Sequence, residues 1–214
     1  MTSSDATPER DPLLAELPLR RVPTQTRSRA KVLRAVDAAE VLVRREGVEA
    51  ITLPRVAAAA GVSVGALYQY LPDREAILAA IVARYHARLE RLLDDVLEQI
   101  EVAGPDPVGR VLRAVIDIYD DEELARSLGT VRSGAPDADE ARRRHKQRMA
   151  SKVAALLQRA GVIDEGDDER AYAVSRVAFA SADAVLHEAF AAEPDERALL
   201  LAELERALRI WLGA

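Results

Sequence analysis

The sequence predicts an all-α fold in two parts, an N-terminal three-helix helix-turn-helix domain and a larger C-terminal helical domain. Three observations predict it. Alanine, leucine, glutamate and arginine recur throughout while aromatic residues make up only 4% of the chain, a balance that favours long helices over strands. Apolar residues repeat at spacings of three and four without sustained alternation, and glycine or proline stands at the breaks between stripes. Finally, 214 residues suffice for one small domain and a second with its own core.

Residues 1–22 are rich in proline, polar residues and charge and read as a flexible tail. Arg20 and Arg21, just before Pro23, have two readings: a basic arm that crosses a DNA backbone or enters a minor groove, or a plain basic linker. Residues 23–72 form the first domain. Thr24 is a candidate cap for its first helix, whose stripe runs Val32, Val36, Ala39, Leu42 and Val43 until Gly47 ends it. Two short helical blocks follow, 53–60 and 64–70, with only Gly61, Val62 and Ser63 between them. That spacing leaves room for nothing but a sharp helix-turn-helix corner.

Val56, Ala57 and Ala60 share one side of the first block, and Gly61 follows where the chain must stop its helix and often take a positive φ. Ser63 sits where its hydroxyl can accept a backbone N–H of the next helix. In that helix Leu67 and Leu71 share a core face. Val64, Gly65, Ala66, Tyr68, Gln69 and Tyr70 include residues with no core to serve. Small side chains followed by tyrosyl and amide groups on a short helix suit a DNA major groove.

Residues 73–214 form the second domain. Asp73, after Pro72, caps a long helix that runs to about residue 103 through Ile77, Ile81, Tyr85, Leu89, Leu92, Val96 and Ile100, linking the two domains. The run Gly-Pro-Asp-Pro at 104–107 breaks it. A helix over 108–119 turns Val111, Leu112, Val115 and Ile118 inward, and a short segment, 122–128, and a loop, 129–136, lead to a helix over 137–160. That helix is basic early and apolar at Val153, Leu156 and Leu157, and Gly161 closes it. Asp167 or Asp168 opens an alanine-rich helix to about residue 192. Pro194 opens the last, which runs to Trp211.

The corner carries a resemblance. Thr52, Val56 with Ala57, Gly61-Val62-Ser63, Leu67-Tyr68, Tyr70-Leu71 and Arg74-Glu75 make the chain similar to the DNA-binding domain of the TetR (tetracycline repressor) family of bacterial transcriptional regulators. The likeness is specific over residues 27–84 and architectural beyond. Pro54 stands in the first turn of the second helix, where some family members place a polar residue that touches DNA, and Leu71 replaces a more usual aromatic. The resemblance implies pairing through the last two long helices and an effector pocket among the middle ones.

The net charge of −6 is divided unevenly. Residues 20–74 carry ten bases against five acids, a local +5, while residues 75–214 carry −8. Phosphate attraction is screened within about 10 Å, so the basic end can hold DNA while the acidic end stays clear. Thr52, Ser63, Tyr68, Tyr70 and Arg74 are the expected phosphate contacts. Val64, Gly65, Ala66 and Gln69 lie where base edges are read, helped by Arg55 or the arm.

Val174, Ala178, Ala182 and Val185 on the alanine-rich helix, with Leu204, Leu208 and Trp211 on the last, make broad apolar surfaces. They suit a twofold four-helix interface or the closing of the protomer's own core, and the resemblance favours the dimer. Asp117 and Asp183 stand within apolar runs, where a carboxylate needs a partner or a pocket. Surface pairs with Arg113 and Arg176 are the plainer reading. If a pocket exists, Arg113, Asp117, Tyr119, Met149, Phe179 and Asp183 are its candidates, by resemblance.

Other chemistry finds little support. There is no cysteine, His86, His145 and His187 lack paired-ligand spacing, and neither a phosphate-cradling glycine loop nor a Gly-x-Ser-x-Gly elbow occurs. No metal, cofactor or catalysis is expected. The first twenty residues do not read as a signal peptide and no segment reads as a membrane span, which predicts a cytoplasmic protein. The expectation is therefore a homodimeric repressor of a palindromic operator released by a small molecule. Its rivals are a dimeric DNA-binding protein without effector, and a helical ligand-binding protein or enzyme whose basic face is incidental.

Overall fold

A computed structural model describes residue 14 and residues 17–99, 106–119 and 136–212. Those residues contain eight α-helices and no strand: α1 (Thr26–Glu46), α2 (Leu53–Ala60), α3 (Val64–Tyr68), α4 (Arg74–Gln99), α5 (Pro107–Tyr119), α6 (Pro136–Arg159), α7 (Asp168–Ala191) and α8 (Pro194–Leu212), with a 3-10 turn at Val48–Ala50. The chain divides into two compact units, Met1–Ala87 and Arg88–Ala214, the division falling within α4. The expected 122–128 segment and the break at 104–105 lie outside the described residues.

In the first unit α1 packs on the 3-10 turn, α2 and α3. Its stripe Val32, Val36, Ala39 and Val43 meets Ile51, Val56, Leu67, Leu71, Ile77 and Ile81, all buried. Gly47 ends α1 at φ 79°, its N–H returning to the Val43 carbonyl. The N-cap is Gln25 and not Thr24, and it makes no side-chain cap bond. Pro23, fully buried, fixes the chain entering that turn. Glu40 is buried on α1, and the cost of burying it is offset by Arg84 of α4, whose Nε lies 2.7 Å away while its Nη1 reaches Asp37 at 2.5 Å.

In the second unit α6 packs along α7, α7 along α8, and α5 against α8. Ala154, Leu157, Ile163 and Ala171 form a buried cluster, flanked by Val153, Val162, Val174 and Leu212. Three cations of α6 are paired within this unit. Arg148 pairs with Glu90, Lys152 with Asp94, and Arg159 donates to the Leu97 carbonyl at 3.1 Å, a ladder that ties α6 to the C-terminal part of α4. At the start of α5, Asp106 takes φ 62° and caps the helix through the Gly109 N–H at 2.9 Å. Its carboxylate also meets Arg113 and Arg209, and Glu205 pairs with the same two arginines, so four charges join α5 to α8.

Candidate nucleic-acid interface and internal cavity

The helix-turn-helix is built by local chemistry. Thr52 caps α2, accepting the Arg55 N–H at 3.4 Å, and Pro54 occupies a first-turn position where no intrahelical N–H is needed. Gly61 ends α2 in the left-handed region, φ 64° and ψ 37°, which a side chain would strain. Arg34 of α1 donates to the last carbonyl of α2, that of Ala60, at 3.4 Å. Ser63 then caps α3 by accepting the Ala66 N–H at 3.2 Å. The helix is shorter than expected, ending at Tyr68, with Gln69 and Tyr70 in the turn that follows. Five residues cannot hold a helix by themselves, so Ser63 and the burial of Leu67 and Leu71 carry it.

This leaves Val64, Gly65, Ala66 and Gln69 exposed or partly so, and Tyr68 is 51% exposed. Tyr70 is half-buried, and its carbonyl accepts the Arg20 N–H at 3.1 Å. The Arg20 guanidinium lies 5.8 Å from the centroid of the Tyr68 ring. The two arginines expected to reach DNA from the helices are engaged elsewhere. Arg55 holds Glu46 with both carboxylate oxygens at 2.9 and 2.7 Å, and Arg74 donates to the Val48 carbonyl and pairs with Glu49, each at 3.1 Å. The described part of the expected tail is held to the unit, since Leu14 and Leu17 are buried. Sequence reading missed this because two leucines among prolines show no helical period.

Within the second unit the described residues line a half-open apolar cavity of about 70 Å³, drawn from α5, α6, α7 and α8. Of the candidate ligand residues, Phe179 and Asp183 line it; Arg113 is exposed, and buried Met149 is not among the described lining residues. The side chains of Asp117 and Tyr119 lie outside the described ones. Asp183 is paired with Lys146 at 2.9 Å and not with Arg176, whose guanidinium lies over the Tyr172 ring. Arg113 pairs with Asp106 and Glu205 and belongs to the α5–α8 charge cluster. Behind Phe179 stands His145, edge-on at 6.3 Å and itself hydrogen-bonded to Glu90. No group of metal-binding side chains occurs among the described residues.

The expected dimer residues separate in the same way. Ala178, Ala182 and Leu208 line the cavity, Val174 packs on the neighbouring cluster and Leu204 is buried, so these five have contacts within the protomer. Val185 is half-buried and Trp211 remains exposed. The outward apolar residues of α7 and α8 are instead Val177, Leu199, Ile210 and Trp211, with Val177 53% and Ile210 71% exposed. A run of alanines and valines offers both sides of a helix to an apolar neighbour, and period alone does not say which side meets which.

A capped helix-turn-helix with an exposed second helix, joined in one chain to a helical unit that carries an apolar cavity, has the features of a DNA-binding regulator of the helix-turn-helix class. The family model for bacterial regulatory proteins of the tetR family, which describes an N-terminal domain, matches residues 35–81, from the middle of α1 through the first turns of α4. None of the curated proteins matches the chain. Among solved structures, a TetR-family transcriptional regulator from Mesorhizobium loti is 21% identical with a TM-score of 0.65, over 88% of this chain and 98% of its own. One from Streptomyces coelicolor is 25% identical with a TM-score of 0.59, over 86% and 98%. SmeT in complex with triclosan is 24% identical with a TM-score of 0.57, over 83% and 91%. The whole chain therefore has the fold of TetR-family transcriptional regulators. No helix among the described residues is long and apolar enough to cross a membrane.

Proposed function

We propose that the protein is a cytoplasmic homodimeric repressor that binds a palindromic operator and leaves it when a small apolar molecule enters the second unit. The observation that carries the DNA-binding part is α3: a helix held by one serine cap and two leucines, with its other side chains left to solvent in the basic part of the chain. One such helix per subunit enters successive major grooves about 34 to 36 Å apart. Tyr68, Gln69 and the small residues at 64–66 meet the bases and flanking phosphates, with few polar side chains to do it.

Pairing uses the outward faces of α7 and α8 that carry Val177, Ile210 and Trp211, because the inward residues are already covered. The effector is apolar, an inference supported by the cavity lining and by the triclosan bound to the structural neighbour SmeT. An apolar cavity of about 150 Å³ takes benzene, so one of about 70 Å³ must widen to admit an aromatic ring. Such widening moves α6, whose ladder to Glu90, Asp94 and Leu97 passes the shift to α4, the helix that begins beside α3.

Selection of bound duplexes from random DNA, followed by affinity at rising salt, tests the first part. A palindromic site and a steep linear loss of log affinity are expected, weakened by Tyr68→Ala; absence of duplex binding would favour a helical binding protein or enzyme. The small cavity favours one second reading, a dimeric DNA-binding protein without effector. Thermal stabilisation by members of an apolar compound panel, with parallel loss of operator affinity, decides between them.

A further inference from the structure

On α2 and α4 the arginines nearest the recognition helix are already paired, Arg55 with both oxygens of Glu46 and Arg74 with the Val48 carbonyl and Glu49. A guanidinium in such a pair meets a phosphate with part of its charge and hydrogen bonding already taken up by a carboxylate. The segment just ahead of α1 and the first turns of α1 have no such obstacle. Between Glu16 and Asp37 the chain carries bases and no acid, and among the described residues Arg20, Arg21, Arg27 and Lys31 are exposed with no carboxylate partner. This segment is also fixed in place. Leu17 and Pro23 are buried, the Pro23 carbonyl accepts from Arg29 Nε at 3.3 Å, the Arg20 N–H bonds the Tyr70 carbonyl, and the Arg20 guanidinium lies over Tyr68.

We infer that residues 17–31 form a second duplex-binding surface, an arm anchored on the recognition helix whose Arg20 and Arg21 take phosphates beside the base pairs that α3 reads. The inference rests on the DNA-binding reading above. Its anchors fall on the end of α3 and the turn that follows, so the arm's cations keep a fixed distance from Tyr68. The stack on Tyr68 joins a base-reading element and a phosphate-gripping one in a single contact. A phosphate grip carries no sequence information, so it serves operator and random DNA alike.

The test uses the full chain and two labelled duplexes of equal length, one selected from a random library and one of unselected sequence, titrated across a salt series. Arg20→Ala with Arg21→Ala is expected to weaken both duplexes roughly ten-fold and to flatten the plot of log affinity against log salt by about 0.9 for every phosphate the arm no longer neutralises. Arg20→Lys, which keeps the charge, is expected to keep the slope. Equal melting temperatures for the variants show that the arm's anchoring is intact. If the double variant, folded as the wild type, kept the wild-type affinity and slope, the arm would be a packing strap and the inference overturned. The same holds if Arg55→Ala flattened the slope and the arm variants did not. Failure of the wild type to bind any duplex removes the DNA-binding reading itself, a result separate from weakening at the arm alone.

Discussion

Inside the second unit His145 Nδ1 lies 2.6 Å from Glu90 Oε1, with both side chains withdrawn from solvent and Arg148 closing on the same carboxylate at 2.6 and 2.8 Å. Burial pushes the Glu90 carboxyl up, but the hydrogen bonds and charges of His145 and Arg148 outweigh it and bring it down to about 2, against 4.5 for a free glutamate. A value lowered on folding contributes stability that is complete above about 4.5 and lost as pH falls toward 2. Urea unfolding across that window is expected to show stability falling with pH. Glu90→Gln loses about 1.5 to 3 kcal/mol at neutral pH and flattens this part of the acid dependence.

Gly109 is the position where α5 and α8 leave no room for a methyl group, since a Cβ there would overlap the Asp106 carboxylate and the Arg209 guanidinium. Gly109→Ala therefore turns the Asp106 carboxylate away from its cap and its arginines. A loss of about 1 to 3 kcal/mol is expected in chemical denaturation. Asp106→Asn, which keeps a residue tolerant of the left-handed region and a capping oxygen, is expected to cost less than Asp106→Ala. The reverse order would show that charge and not backbone shape governs this corner.

Ser63→Ala removes the one side-chain cap of a five-residue helix. The global cost is about 1 kcal/mol, or about 2 to 4 °C in melting temperature. Operator affinity is expected to fall further than that change implies, because α3 frays before the core does. Anisotropy with the selected duplex, beside a thermal melt, separates the two effects.

Val177→Glu places a charge on the outward face of α7, and Ala178→Glu places one in the cavity wall. Sedimentation equilibrium is expected to find the first variant monomeric with its helicity and melting behaviour kept. The second is expected to unfold at lower temperature, as a buried unpaired charge requires. A dimeric, fully folded Val177→Glu would move the interface to another surface.

The helix-turn-helix was legible in the sequence because each of its parts is local. Gly61, Ser63 and Asp73 act within a turn or two of themselves, and all three behave as their chemistry predicts. What escaped were relationships between distant residues. Arg113 and Asp117 share a helix, and Arg176 and Asp183 share another, so pairing within each helix was the natural reading. Asp183 instead meets Lys146 of α6, and Arg113 meets Glu205 of α8 together with the cap residue Asp106, while the Asp117 side chain lies outside the described ones. Alanine-rich α7 misled for a related reason, since small side chains on every face leave its packing partner unspecified. Arg55 and Arg74 were legible as basic but not as occupied, because Glu46 and Glu49 reach them only across the folded corner.

The buried Leu17 and Pro23 have one more consequence. An arm that becomes ordered only on meeting DNA gives up about 1 to 2 kcal/mol of backbone freedom for every residue it fixes, and the complex is weaker by that amount. Here the segment from Leu17 to Pro23 surrenders that freedom when the first unit folds, before any duplex arrives. Encounter with the operator then becomes the docking of one preformed surface, whose rate answers to charge and not to the slow search of a loose chain for its bound shape.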